Sequence, residues 1–328
     1  MRFAHSHLRH LNFRLLGKGR AETFILTATA DGMCEPIGCF VLVSDGKTRK
    51  FYDNIALTPA YADHWREAIQ AVLAHFGPGD YEWGWEWSLE PSRQADLEAL
   101  PGVQILDAQA IVVHAVDFSQ WPTWNDYWRA ISENSRRNAQ KAERANDGLK
   151  IVVRTGLSAI RSAGPLTRLR SAMYSRKGLG FRSLRTFLGY VAGVLLCPEQ
   201  AMTASAEAGG RVLAAYHGVE FGQNTYYLDG AAAEGAEGGS WFLLLTMVRR
   251  AYERAPKGRF LMGYIGSALT REVPEGLIRS RRSLRVSEWP TCLIKFRWNP
   301  AAPSAHSSVA KTPSLAATQA FSVRSDAA

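Results

Sequence analysis

AMTASAEAGGRVLAAYHGVEFGQNTYYLDGAAAEGAEGGSWFLLLTMVRRAYERAPKGRFLMGYI, residues 201–265, carries the densest structural signal in the chain. Residues 201–208 and 211–221 are β-prone runs on either side of Gly209-Gly210, a tight-hairpin signal. Residues 225–228 predict a third strand, punctuated by Gly222 and by Asp229-Gly230. Glu234-Gly235-Ala236-Glu237-Gly238-Gly239-Ser240 then opens an apolar helix over 241–255, and 260–265 reads as another apolar strand. Glycines that lead into a helix turn free N–H groups and the positive end of the helix dipole toward any anion placed there. In a mixed sheet this suits a phosphate-bearing donor such as coenzyme A. The same residues also cap helices with no ligand at all. The run matches neither G-x-x-x-x-G-K-[ST] nor G-x-G-x-x-G.

The order of hairpin, strand, Gly-rich turn, helix and strand resembles the core of the GNAT acyltransferase fold. A second segment sharpens the likeness. Residues 127–151 hold Arg136-Arg137-Asn138 and Ala142-Glu143-Arg144 ahead of a strand. This is similar to a helix of the Fem-type aminoacyltransferases and of the CelD-like (cellulose-biosynthesis) acetyltransferases. The resemblance covers residues 121–298. It implies an α/β fold of GNAT-like mixed sheets flanked by helices, and an amide-forming acyltransferase.

The chain has 328 residues, 46% hydrophobic and 21% charged, room for one large domain or two ordinary ones. The longest apolar candidate, 187–197, is too short to span a membrane and contains Gly189 and Gly193. No secretory signal is visible in residues 1–20. Cys34, Cys39, Cys197 and Cys292 form no C-x-x-C, which argues against a zinc ribbon or disulfide framework and for reduced, cytoplasmic thiols. The net charge of +9 suits an anionic ligand: coenzyme A, a nucleotide or an RNA. His5, His7 and His10 lack a nearby carboxylate or cysteine to complete a metal site, so no metal is expected.

Upstream, 24–29 and 37–43 predict strands, with turns at Asp31-Gly32 and Asp45-Gly46 and a third strand over 49–54. A helix over 60–76 gathers Trp65, Ile69, Val72, Leu73 and Phe76 on one face. Along 81–88, Tyr81, Trp83, Trp85 and Trp87 alternate onto one side of a strand. That aromatic wall packs on the helix or serves as a stacking surface for a sugar or acyl chain. A short helix over 96–100 and a strand over 110–116 complete a trimmed version of the second half's plan. Two GNAT-like half-modules follow, as in the Fem-type fold: residues 1–118 as a degenerate N-terminal module and 119–300 as the transferase module. Residues 301–328, rich in Ala, Ser, Thr and Pro, read as a disordered tail. Within the second module, Thr123 and Asp126 signal a capping box for a helix running to Asn146. A strand over 149–154 and helices over 165–176 and 183–196 come next, the helices joined by the basic loop 177–182. The last strand is 292–298.

GNAT-type transfer, as the resemblance implies, needs a neutral amine, a group to take its proton, and backbone N–H groups for the oxyanion, often at a strand bulge. The base candidates are Glu220 and Asp229. Glu220 shares a strand face with Tyr216 and Gly218, where a carboxylate is either paired in an ion pair or functional. Asp229 precedes Gly230 and also fits plain turn chemistry. Tyr226, Tyr227 and Tyr264 supply candidate general acids, and His217 lies on the opposite strand face. The backbone of Gly238, Gly239 and Ser240 is the candidate phosphate cradle, with Lys177 or Arg182 as charge partners. The Arg136–Arg144 cluster is the other anion site, unless it is a solvated helix face.

The leading expectation is an N-acyltransferase that takes an acyl-CoA thioester as co-substrate and acylates an amine of a small molecule or sugar precursor. The alternative is an aminoacyl-tRNA-dependent aminoacyltransferase. A third reading is a non-catalytic carbohydrate- or RNA-binding module on a degenerate transferase fold.

Overall fold

The computed structural model describes residues 8–15, 18–30, 33–236, 238–266, 275–300 and 320–325. The turn at Asp31-Gly32, His5 and His7, and Glu237 lie outside the described residues. In chain order the first elements are α1 (Leu8–Leu15), β1 (Arg20–Ala30), β2 (Met33–Ser44), β3 (Thr48–Phe51) and β4 (Ala56–Leu57). Then come α2 (Trp65–Phe76), β5 (Gly79–Trp83), α3 (Gln94–Glu98) and β6 (Val103–Asp117). The middle of the chain gives α4 (Trp124–Ala130), α5 (Glu133–Ala145), β7 (Lys150–Thr155), α6 (Ala163–Arg176) and α7 (Ser183–Leu196). It continues with β8 (Ala201–Ala208), β9 (Arg211–Phe221), β10 (Asn224–Ala232), α8 (Gly239–Arg254) and β11 (Arg259–Gly266). The last elements are α9 (Glu275–Ser283), β12 (Ser287–Trp298) and β13 (Ala320–Ser325). These form two compact units.

The first unit comprises Met1–Val112, Gly266–Thr270 and Trp289–Ala328. Its strands run in the order β13-β1-β2-β3-β5-β12. The second module as read from sequence, 119–300, includes the strand over 292–298. Instead β12 pairs antiparallel with β5, and Phe296 stacks on Tyr81 with centroids 5.4 Å apart. Residues 320–325, expected within a structureless tail, form a strand against β1. The aromatic alternation of 81–88 is also shorter than its pattern suggests, because the strand stops at Trp83 and Gly84 turns away with φ +98°. Tyr81, Trp83 and Trp85 are all buried. Trp83 lies against Phe51 and edge-on to Trp65 of α2, so this wall is core rather than a stacking surface.

The second unit comprises Val113–Ile265 and Arg271–Glu288. Its strands run β6-β11-β10-β9-β8-β7. The hairpin of β8 and β9 has the expected bounds, and Gly209 and Gly210 both take positive φ at its turn. One face of the sheet, through Met202, Ala204 and Tyr216, packs on Leu243, Met247 and Val248 of α8. The capping box of Thr123 and Asp126 forms. The helix it starts is not continuous to Asn146. Ser132 interrupts it, its Oγ accepting from Ser135 N and its own N–H donating to Ser283 O at 2.9 Å, so α5 begins with a fresh cap.

His114 of β6 is buried in this unit with no hydrogen-bond partner at Nδ1. Burial, reinforced by Arg281 and Arg282 and opposed by Glu288, holds its pKa below the ordinary 6.5. The unfolded chain therefore binds the extra proton first, and stability falls as pH drops through 6.5. Chemical denaturation across that range should show a loss of up to about 1.4 kcal/mol per pH unit from this residue. His114→Phe should flatten the slope; an unchanged slope refutes the assignment.

Candidate active site

The opposite face of the second unit's sheet meets α6 and α7. Here Asp229 of β10 stands across from His217 of β9. Asp229-Gly230, which fits a turn in sequence, instead continues β10 through a bulge between Tyr227 and Asp229. The side chain is largely buried and fully engaged. Oδ1 accepts from Gly230 N at 2.8 Å, and Oδ2 accepts from both Tyr190 Oη of α7 and Arg170 Nη1 of α6. Arg170 also donates to Tyr190 Oη and Tyr174 Oη, each at 3.1 Å. Its guanidinium lies over the rings of Tyr174 and Phe181. Tyr190 meets His217 edge-on at 5.1 Å.

Burial raises the Asp229 pKa above the usual carboxylate range, against the opposing pull of Tyr190 and Arg170. Burial and the neighbouring carboxylate push the Tyr190 phenol up as well. For Arg170, burial disfavours the charge, but Asp229 and the tyrosine hydroxyls outweigh it. The cluster is a carboxylate, a phenol and a guanidinium sharing protons inside a partly desolvated pocket of charge.

Beside it the sheet opens. β10 and β11 pair in parallel only from Asn224/Arg259 to Tyr226/Leu261, although β10 runs on to Ala232 and β11 to Gly266. Beyond the bulge, β10 keeps its ladder with β9 alone. On the β11 side, Gly263 takes φ +77°. Arg281 of α9 donates to Met262 O at 2.6 Å and Gly263 O at 3.0 Å, and reaches Tyr264 O at 3.4 Å. Burial lowers the Arg281 pKa to about 10.

The structure does not bring all the sequence candidates together. Glu220 lies on the α8 side of the sheet, its Oε1 3.3 Å from Arg250 Nε and 3.8 Å from Arg254 Nε. That is the ion-pair reading of a strand carboxylate. Tyr216 and Tyr227 stack on the same side, at 5.3 Å, where Gly218 and Gly230 leave room for the rings. Tyr264 is half-buried on β11, beyond the last β10–β11 pair at Tyr226 and Leu261. Lys177 and Arg182 are exposed in the α6–α7 loop. It is Phe181 of that loop that touches the Asp229 cluster, through Arg170.

The Gly-rich run has a packing reason. Gly238 caps α8 with φ +87°, and a Cβ there would sit 2.2 Å from Asn138 O of α5. Gly239 is buried, and its N–H donates to Ala236 O at 2.6 Å. Trp241 N–H turns back to Gly238 O at 2.9 Å. Ser240 is exposed. The Arg136-Arg137-Asn138 motif therefore places a backbone carbonyl against the α8 cap, while Arg137 pairs with Glu133 on the surface.

No family model and no curated protein match the sequence. Solved structures do. FemX superposes with a TM-score of 0.64 at 12% identity, over 89% of this chain and 91% of that one. The C-terminal domain of a putative lysylphosphatidylglycerol synthetase from Agrobacterium fabrum gives 0.53 at 12%, over 92% and 91%. A conserved protein of unknown function from Bacteroides thetaiotaomicron gives 0.54 at 11%, over 80% and 83%. The fold is similar to that of FemX, with mixed sheets flanked by helices.

The two carboxylates should separate cleanly in urea unfolding. Asp229→Ala leaves Arg170 without its partner and should cost about 3 kcal/mol. Glu220→Gln should cost about 1 kcal/mol, since Gln keeps a hydrogen-bond acceptor for Arg250, which is partly exposed. Equal costs would contradict the assignment. Gly238→Ala adds a Cβ at positive φ and against Asn138 O, and should cost at least about 2 kcal/mol.

Proposed function

We propose that the second unit transfers an acyl group to an amine. The observation that carries this reading is the parting of β10 from β11 beside the Asp229–Tyr190–Arg170 cluster. A gap between two parallel strands admits an extended acyl donor. Peptide groups of β10 past the bulge point toward it without a β11 ladder to occupy them, which suits an oxyanion. The acceptor amine attacks the acyl carbonyl, forming the C–N bond. Its proton passes to Tyr190 Oη while the Tyr190 hydroxyl proton passes to Asp229 Oδ2. The carbon–oxygen or carbon–sulfur bond of the donor then breaks, and the leaving atom takes the proton back. A carboxylate whose pKa is raised by burial accepts a proton more readily, and Arg170 steadies the phenol in place.

Two donors fit this chemistry, a coenzyme A thioester and an aminoacyl ester of tRNA. The packing of α8 favours the aminoacyl ester: Gly239 N–H is spent on Ala236 O, and Asn138 O faces Gly238, where a pyrophosphate would otherwise lie. A carbonyl oxygen facing that cap disfavours an anion beside it. The +9 charge and the FemX-like fold support the same donor. The acceptor is a small-molecule amine, and the CelD-like branch of the resemblance belongs with the thioester donor.

The protein should be incubated with total charged tRNA, or with acetyl-CoA, and a mixture of amines, following donor deacylation. Amine-dependent deacylation of tRNA is expected. Deacylation of acetyl-CoA alone would hand the site to the thioester. Tyr190→Phe should lower kcat about 100-fold with little change in donor KM. Turnover unaffected by both Tyr190→Phe and Asp229→Asn would sink the mechanism.

A further inference from the structure

Helix α7 is apolar on both sides. Its inner side carries Tyr190, bonded to Asp229, and Val194, its buried residue. Its outer side carries Leu184, Phe187, Leu188, Val191 and Leu195, at i, i+3, i+4, i+7 and i+11, which is a single stripe on a helix. Leu184 is 71% exposed, Leu188 54% and Leu195 56%; Leu179, in the loop before the helix, is 53% exposed. Scattered leucines on a surface are ordinary, but a contiguous stripe marks a contact surface.

Charge accompanies the stripe. From Gly148 to Pro198 the sequence has nine Lys and Arg and no Asp or Glu, as much positive charge as the +9 of the whole chain. Arg168, Lys177, Arg182 and Arg185 are exposed, and Arg182 and Arg185 stand at the start of α7 beside Leu184. Arg154, Arg170 and Arg176 pair with Glu207, Asp229 and Glu234 from elsewhere in the chain. Arg182 and Arg185, beside the leucine stripe, have no acid in their own stretch of sequence. That is the composition of a helix that lies in the headgroup plane of an anionic bilayer. At 14 residues α7 is too short to cross one.

We propose that α7 and the loop before it dock the protein on an anionic lipid surface. The leucine stripe enters the headgroup boundary, and Arg182 and Arg185 meet lipid phosphates. Charge complementarity selects this occupant. A second copy would bring the same positive field against itself. A nucleic acid would satisfy the arginines but leave Leu184, Leu188 and Leu195 in water. Docking needs neither donor nor acceptor, so it stands or falls apart from the transferase reading.

The test is flotation of the full chain with vesicles of phosphatidylcholine alone, or with about one third phosphatidylglycerol, at low and high salt. Partition should favour the anionic vesicles at least about 10-fold and weaken with salt. Arg185→Gln should reduce it about 5-fold. The double variant Leu184→Gln/Leu188→Gln should reduce it at least about 10-fold with an unchanged unfolding midpoint. Absence of partition, equal partition to both vesicles, or indifference to the leucine variant would overturn the proposal. So would a dimer in sedimentation velocity that the leucine variant dissociates, without vesicle binding. Binding of tRNA that Arg185→Gln weakens and the leucine variant leaves intact, again without vesicle binding, would reassign the face to nucleic acid.

Discussion

A carboxylate set into the face of a sheet has to be answered by donors, and Asp229 is answered by two helices at once. Arg170 comes from α6 and Tyr190 from α7, 59 and 39 residues away in the chain, and both converge on Oδ2. Desolvation of the acid is the cost that fixes their positions. Once Arg170 is drawn in, its guanidinium needs surroundings, and the rings of Tyr174 and Phe181 and two tyrosine hydroxyls meet its Nη1 and Nη2 ends, while Nε is left without a partner. The α6–α7 loop is thereby tied to the sheet through Phe181. One acid at a bulge organises the whole helical layer on that face.

The bulge also explains why the sheet opens where it does. β10 follows β9 along its full length but leaves β11 after Tyr226. Holding such a gap open requires that the freed β11 carbonyls find donors other than β10. Arg281 meets that need with three carbonyls in succession, Met262 to Tyr264, and its buried guanidinium is charged against a low-dielectric surround to do so. Arg281 thus braces the β11 side of the opening, while on β10 Arg170 holds the Asp229 side chain.

How much of this was legible follows the range of the forces involved. The β8–β9 hairpin could be read because Gly209-Gly210 and the flanking runs are local signals. So could α8 and the capping box of Thr123 and Asp126. The break before α5 was not, since Ser132 competes as a cap only once Ser283 O is available to its N–H. The alternation from Tyr81 to Trp87 promised a long strand, but Gly84 turns where a Cβ would strike Cys292 O, a contact made by a strand more than two hundred residues on. Asp229-Gly230 misled most instructively. Locally it is turn chemistry; pairing with His217 and Tyr216 overrides that preference and makes a strand residue of it, a largely buried acid. Its partners Arg170 and Tyr190 carry no motif. The one trace of them in the sequence is the absence of any acid between Gly148 and Pro198, which obliges a buried arginine there to look elsewhere for its counter-ion.

The same absence of acid makes α7 a helix with two duties. Its inner face, through Tyr190, is held to Asp229, so the helix cannot rotate about its axis without breaking that bond. Its outer face is then fixed as well: Leu184, Leu188 and Leu195 are displayed outward because Tyr190 points in. A helix stabilised only by apolar packing could have turned its leucines toward the sheet, since burial of each is favourable. The polar anchor denies it that choice. Whatever meets the leucine stripe therefore meets a surface whose orientation is set by the Tyr190–Asp229 bond, and a change in the protonation of Asp229 bears directly on the helix that displays the stripe.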